Sequence, residues 1–353
     1  MSETSKRTVL VYRTGHLGDT ICAVPAFRLI RARFPEARLI LLCDRPAGGK
    51  VFAEQVVEAF GIFDVVETYR SGRGMMTLWQ MTGCVRKHHP ELAVILPQAR
   101  ESARNLERKK RFFRGCGVAD VRGVNFPTLP NEWQPNEPAR LLQVLRAVGI
   151  RGGMPAYALP VNAAARQSVR EKLARLGIPP NTPFLAFCGG GKEATQQWDL
   201  ARYGRVLRRV ADEFQIPVLG LGNETDAARY RTEVLPLFPD LRQPGPLPLP
   251  ELFEAFRDAV MYLGNDTGPM HAAAAVGCPV AAVLSARNAP GVWDPDVEPR
   301  LIFRHRTECE DCFLRKCGRE KHRCMTAITE DLVLAGLLPF LGKALTHKKR
   351  QDR

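Results

Sequence analysis

Short apolar runs alternate along this chain with segments whose apolar residues recur three and four positions apart, and the alternation predicts strands and helices in turn. Val9-Leu10-Val11-Tyr12 reads as a strand. It is followed by a turn over Thr14-Gly15-His16-Leu17-Gly18-Asp19-Thr20 and by a helix that carries Ala23, Phe27 and Ile30 and ends near Phe34-Pro35. Leu39 to Leu42 is the next strand, Met76 to Lys87 a helix, and Leu92 to Leu96 a further strand. A Pro-rich crossing (Pro127, Pro130, Pro135, Pro138) leads into a helix over Ala139 to Val148, and the broken polar stretch from Gly152 to Pro160 marks a domain boundary. The pattern then restarts with a helix from Ala163 to Leu176, a strand from Phe184 to Cys188 and the loop Gly189-Gly190-Gly191-Lys192. A helix near Leu200 to Phe214, a strand Val218 to Gly222 and a helix Leu252 to Arg257 complete that part. The reading predicts an α/β chain of two doubly wound domains facing a central cleft, residues 1–160 and 161–330, with a C-terminal helix and basic tail at 331–353.

The most informative stretch is Asn265-Asp266-Thr267-Gly268-Pro269-Met270-His271, set between the strand Val260 to Leu263 and an Ala-rich helix ending near Gly277, with a second strand, Val280 to Leu284, after it. Glycine allows close backbone approach, and proline suits a first helical turn, where its missing N–H is no loss. Free amides and the positive end of the helix dipole then favour a phosphate or diphosphate above the turn, with His271 as a further donor. Taken alone, the same residues also read as an ordinary helix cap by Asp266 or Thr267.

Charge and composition narrow the picture. Lys and Arg number 51 against 37 Asp and Glu, a net +14, with Arg100, Arg104, Arg108, Lys109, Lys110, Arg111 and Arg114 crowded in one segment and Lys348-Lys349-Arg350 near the end. Such a surface serves nucleic acid, anionic lipid or a phosphorylated glycan. No RNP-type aromatic strand, KH loop or basic heptad region is present, so no nucleic-acid partner is expected. The glycine spacing is not that of a dinucleotide fingerprint, which removes nicotinamide and flavin readings and leaves no organic cofactor expected. The N-terminus runs into a strand without a signal-peptide core and no window has the length of a membrane span, so a cytoplasmic location is expected.

Ten cysteines in such a protein are not expected to form a disulfide framework. Four of them, Cys309-x2-Cys312-x4-Cys317-x6-Cys324, lie within sixteen positions, and a leading Cys-x-x-Cys followed by two more thiols is what a tetrahedral structural zinc or single-iron site requires. Reduced, unligated thiols, or a smaller set completed by His305 or His322, fit the same spacing.

The segments Leu10-Val11-Tyr12-Arg13-Thr14-Gly15-His16-Leu17-Gly18-Asp19, Pro25-Ala26, Phe34-Pro35, Gly220-Leu221-Gly222-Asn223-Glu224, Asp266-Thr267-Gly268-Pro269-Met270-His271 and Cys309 through Cys324-Met325 to Ile328-Thr329 together make the chain resemble the ADP-heptose:lipopolysaccharide heptosyltransferases, glycosyltransferase family 9. The resemblance runs nearly end to end. It implies a GT-B fold with an N-terminal acceptor domain and a C-terminal nucleotide-sugar domain. It further implies that Thr267, Gly268 and His271 contact the donor diphosphate, that Asp266 orders their turn, and that Glu224 meets the nucleotide ribose or base. Many family members carry Lys where this chain has Gln196, two residues before Trp198. A neutral amide brings no charge, and Lys192 is the candidate to supply it. Some protein-modifying relatives hold iron with four cysteines, which the resemblance extends to Cys309, Cys312, Cys317 and Cys324.

Inverting glycosyl transfer needs a base for the acceptor hydroxyl and positive charge or amides on the departing diphosphate. Asp19, where a strand meets a helix, is the candidate base; its competing role is N-cap of a helix beginning at Thr20. Gly18 and Thr20 flank it, and Arg100 and Arg104 are expected to meet acidic groups of the acceptor. The expected function is therefore transfer of a heptose from an ADP-sugar to a lipid-linked, lipopolysaccharide-core type acceptor by an enzyme held against the anionic inner leaflet. A transferase acting on a protein hydroxyl or using another nucleotide-sugar is the alternative, and a nucleotide-sugar sensor the non-enzymatic one. The presence of Asp19 speaks against the sensor, since binding alone needs no acid there.

Overall fold

The computed structural model describes residues 6–45, 53–124, 136–318 and 322–351. Pro127, Pro130 and Pro135 of the Pro-rich crossing lie outside the described residues. The chain forms two compact units, Met1–Leu159 and Pro160–Arg353.

The first unit runs β1 (Thr8–Tyr12), α1 (Leu17–Arg33), β2 (Arg38–Arg45), α2 (Ala53–Phe60), β3 (Val65–Arg70), α3 (Met75–His88), β4 (Leu92–Ile95), α4 (Ala103–Gly115), β5 (Asp120–Arg122) and α5 (Glu137–Ala147). The five strands form a sheet in the order β3-β2-β1-β4-β5, parallel throughout. Val9, Leu10 and Val11 of the central strand are fully buried because helices cover both faces, as a parallel sheet requires. α1 is apolar around most of its surface since it packs against both α2 and α5. Tyr12 opposes Leu42 on one side and Ile95 on the other, and this register brings the residues after β1 beside those after β4.

The second unit runs α6 (Ala163–Arg175), β6 (Leu185–Cys188), α7 (Leu200–Phe214), β7 (Val218–Gly220), α8 (Glu224–Arg229), α9 (Leu249–Asp258), β8 (Met261–Asn265), α10 (Gly268–Ala275), β9 (Val280–Leu284), β10 (Arg300–Arg304), α11 (Arg323–Thr326) and α12 (Glu330–Gln351). Its parallel sheet has the order β10-β9-β8-β6-β7. The Cys188–Gly264 register sets the triple-glycine loop after β6 beside the turn after β8. Val333, Leu337, Leu341 and Ala344, spaced as one face of α12, bury against the core of this unit.

In both sheets the chain leaves the central strands in opposite directions at one point, between β1 and β4 and between β6 and β8. Loops diverge there at the carboxyl ends of the strands and leave a crevice, which is where doubly wound sheets bind ligands. The turn from Thr14 to Thr20 expected from the sequence is shorter in the structure. α1 begins at Leu17, because Leu17 and Thr20 bury against the sheet and Thr20 N–H donates to His16 O at 3.0 Å. α4 occupies the basic segment although its only buried residues are Leu106 and Phe113, an apolar stripe too thin to read among six basic neighbours.

Candidate functional site

At the β1/β4 switch point, Asp19 is the third residue of α1, not the cap of a helix starting at Thr20. Its Oδ2 accepts the backbone N–H of His16, the cap residue, at 3.0 Å. The carboxylate thus satisfies one of the helix's unpaired amides and sits at the positive end of its dipole. Among the described residues its other oxygen carries no hydrogen bond, and the side chain is half-buried. Gly15 makes this placement possible. Its φ is +140°, and a Cβ there would lie 2.4 Å from the Cβ of Asp19. Gly15 N–H donates to Asp44 Oδ1 at 3.0 Å, and Gln98 Nε2 donates to Thr14 O, so the turn is tied to the ends of both neighbouring strands. Gly18 is half-buried and Thr20 is buried, its Oγ1 donating to His16 O at 2.9 Å.

Beneath the turn lies an ionic network that the sequence gives no sign of. Arg13 is 1% exposed and Glu137 is wholly buried. Arg13 donates to Pro97 O (2.7 Å), Asp19 O (3.3 Å) and Glu137 Oε1 (3.0 Å), and Arg140 donates to both oxygens of Glu137 at 2.7 and 2.6 Å. Burial alone would raise the Glu137 carboxyl, but Arg140 and then Arg13 outweigh it and hold it below the usual range. Lys109 is drawn inward from the basic segment, 2.5 Å from Glu101 and 4.9 Å above the Tyr12 ring, and burial lowers its ammonium. Arg100 and Arg104, with Arg108 one turn further along α4, are exposed.

At the β6/β8 switch point, Thr267 caps α10 with extended backbone but makes no side-chain cap, so the first amides of the helix are left for another acceptor. Gly268 and Pro269 form its first turn and His271 follows, 5% exposed, with Trp293 edge-on at 6.0 Å. Asp266 turns away from the cap and into the domain. Gln196 Nε2 donates to its Oδ2 at 3.0 Å and Asn288 Nδ2 at 3.4 Å, and its Oδ1 lies 3.9 Å from His271 Nε2. Burial pushes its carboxyl up to about 6 against the lowering effect of Gln196 and of Arg304 and Arg287. Gln196 is therefore committed to ordering Asp266. Lys192 is exposed in the glycine loop and pairs with no carboxylate among the described residues; Glu224 is exposed at the first position of α8.

Asn265 joins these pieces. Wholly buried, it donates to Gly189 O (2.8 Å) and Gly190 O (3.1 Å) and accepts from Tyr203 Oη (2.9 Å) and Trp198 N–H (3.2 Å). A Cβ on Gly190 would meet Asp226 Oδ1 at 2.3 Å, so the loop lies flush on the capping box of α8. Asn265 opens the turn motif and is visible in sequence, but its role as the clamp between two loops depends on the strand register.

The cysteine loop packs against the same region. Leu314 O accepts from Thr195 Oγ1 at 2.7 Å and from Arg287 Nε at 2.9 Å, while Asp311 N–H and Phe313 N–H donate to Ala286 O and Arg287 O. Cys309, Cys312 and Cys317 are half-exposed and Cys324 is buried. Burial pushes the Cys324 thiol up, and the other three thiols add to that effect. Their chemistry suits zinc or iron, yet among the described residues no three His, Cys, Asp or Glu side chains converge as a metal shell.

Two parallel α/β domains, each with its polar residues gathered at a switch point, define the GT-B class of glycosyltransferase. The family model of glycosyltransferase family 9 (heptosyltransferase) matches residues 137–322, and the chain belongs to that family. It is a glycosyltransferase enzyme of the heptosyltransferase family. Among solved structures it is similar to the glycosyl transferase family 9 protein of Veillonella parvula DSM 2008, at 16% identity and TM-score 0.74, over 97% of this chain and 99% of that one. It is similar to ADP-heptose lps heptosyltransferase II of E. coli, at 17% identity and TM-score 0.68, over 96% and 99%. The iron-containing dodecameric glycosyltransferase TibC of enterotoxigenic E. coli H10407 is similar at 14% identity and TM-score 0.54, over 98% of this chain and 78% of that one. No curated protein matches in sequence.

Proposed function

We propose that this enzyme transfers a heptose from ADP-heptose, with inversion, to a hydroxyl of a lipopolysaccharide-core type acceptor in the cytoplasm. The observation that carries the reading is Asp19: half-buried at a switch point, it spends one carboxylate oxygen on the helix cap and keeps the other for an acceptor hydroxyl. As the acceptor oxygen attacks the anomeric carbon, Asp19 takes its proton and the glycosidic bond to the diphosphate breaks. ADP leaves onto the open amides of α10, with Thr267, Gly268 and His271 as its contacts and Lys192 as the cation that Gln196 does not provide. Glu224 meets the nucleoside. Arg100 and Arg104 meet acidic groups of the acceptor. The ADP-sugar reading draws support from the likeness to a heptosyltransferase described as using ADP-heptose.

Asp19→Asn tests the base without losing the cap, since an amide oxygen still accepts from His16 N–H. Transfer is expected to fall about 10²–10⁴-fold while ADP binding persists. Retention of more than roughly a tenth of wild-type transfer refutes the assignment.

The spacing of the four thiols suits a structural metal, iron or zinc, that Cys309, Cys312 and Cys317 with Cys324 of α11 would hold; the likeness to an iron-containing relative points the same way. Because Leu314 of the cysteine loop braces Thr195 and Arg287, the metal would stiffen the support of the donor turn. Protein purified anaerobically under reducing conditions is expected to carry about one equivalent of iron or zinc. Well under one equivalent refutes this.

A further inference from the structure

Among the described residues, the largest exposed apolar side chains of the first unit lie together at the start of α3, where Met75 is 85%, Met76 51%, Leu78 52% and Trp79 74% exposed. The opposite face of the same helix is firmly docked: Met81, Val85 and His88 are buried at helical spacing, and Glu67 of β3 holds His88 at 2.7 Å and Lys87 at 2.8 Å. The exposure is therefore a property of a fixed helix, not of a frayed end. A soluble surface seldom leaves four such residues in one cluster without a partner.

Charge decides the partner. Arg70 and Arg73 stand at the turn leading into the cluster and Arg86 toward the far end of the helix, all exposed and none paired with a carboxylate among the described residues. Between β3 and α3 runs a groove of about 610 Å³, lined by Arg45, Arg70, Arg86, Lys87 and Trp79. β3 is the edge of its sheet, so the cluster stands at a margin of the unit. A second copy of the chain is a poor occupant, because a two-fold contact would set these arginines against their own counterparts. Apolar side chains that include Trp, flanked by unpaired arginines, match a bilayer surface carrying negative headgroups.

We propose that the Met75–Trp79 turn of α3 is a docking site for an anionic lipid bilayer, with Met75, Met76, Leu78 and Trp79 entering the interface and a headgroup phosphate taken by Arg70 and Arg86 in the groove. The proposal stands whichever sugar is transferred. No described helix is long and apolar enough to cross a membrane, so attachment here is peripheral.

Co-sedimentation of the full chain with vesicles tests it. Wild-type protein is expected to bind phosphatidylglycerol-containing vesicles at least about 10-fold better than pure phosphatidylcholine vesicles, and less well as salt rises. The variant Met75→Ser/Met76→Ser/Trp79→Ser and, separately, Arg70→Glu/Arg73→Glu should each lower that partition by about 10-fold or more. The altered side chains are exposed, so circular dichroism and the ADP-induced thermal shift should match wild type. Equal binding to neutral vesicles overturns the proposal. So does wild-type vesicle binding by either variant, or a change in oligomeric mass with vesicle binding unaltered. Loss of ADP response in the wild-type protein bears on the proposed transfer and leaves the lipid measurement standing.

Discussion

Asp266 and Gln196 show what one side chain changes. A buried carboxyl that titrates near 6 retains a proton between pH 4 and 6 that the unfolded chain has already released. Its contribution to stability therefore declines as pH rises through that window, and above it the buried charge costs about 3 kcal/mol. Asp266→Asn keeps an acceptor for Gln196 and removes the charge. The variant should match wild type near pH 4 and exceed it by about 2–3 kcal/mol at pH 7 in urea unfolding. A difference that does not change with pH would show that burial is not what raises this carboxyl. The position of Gln196 is legible in sequence, and so is its departure from the usual Lys. That its amide addresses Asp266 is not, because seventy residues separate the pair and only the β6–β8 register joins them.

At the scale of elements, the β1–α1 turn is built around the absence of a side chain at Gly15. Alanine there meets Asp19 at 2.4 Å and must also adopt a φ that L-residues rarely hold. Gly15→Ala should push Asp19 off its cap and lower transfer by about 10²-fold, the scale of a 1 Å misplacement, with ADP binding unchanged by calorimetric titration. Weakened ADP binding with normal turnover would contradict that picture. The helices α1, α3, α5, α6, α7, α9, α10 and α12 and the central strands of both units are visible in the apolar pattern, most of them to within two or three residues, whereas the short helices α2, α8 and α11 are not. β3, β5 and β10 are short or partly polar edge positions, and α4 is nearly all charge, so neither period stands out in them. Glycine spacing draws the eye to Gly18, whereas the close approach falls on Gly15.

Among the described residues each unit buries a core cluster of its own, one around Tyr12, Leu42, Val85 and Phe113 in the first and one around Phe187, Trp198, Tyr203 and Leu337 in the second. Each should melt as its own transition in scanning calorimetry. ADP at a hundred times its Kd adds about 2.7 kcal/mol to whichever unit binds it, a rise of roughly 5–10 °C in the C-terminal transition alone. Glu137→Gln leaves the buried Arg13 and the half-buried Arg140 without their carboxylate and should lower only the N-terminal transition, by the equivalent of about 3–5 kcal/mol. A single transition moved by both would refute the division. The Glu137 contribution is present above the unfolded carboxylate range and is lost as pH falls through its depressed folded value, so the variant's deficit should shrink in acid.

Local chemistry is what the chain determined by itself: apolar periods long enough to be read, a Gly-Pro helix start that leaves amides free, an acid beside a strand end, and four thiols within sixteen positions. These are short-range properties, set by residues within a turn or two of each other. Tertiary structure decided which distant residues complete them. The packing of α5 against α1 set Arg13 beside Glu137 and Arg140, and parallel pairing set Asn265 against Gly189 and Gly190, contacts 75 to 124 residues apart in the chain. It also decided which charges are free. Lys109 is withdrawn into the first unit while Arg104 stays at its surface, and no run of basic letters distinguishes them, because burial is a property of the packed helix and not of its sequence.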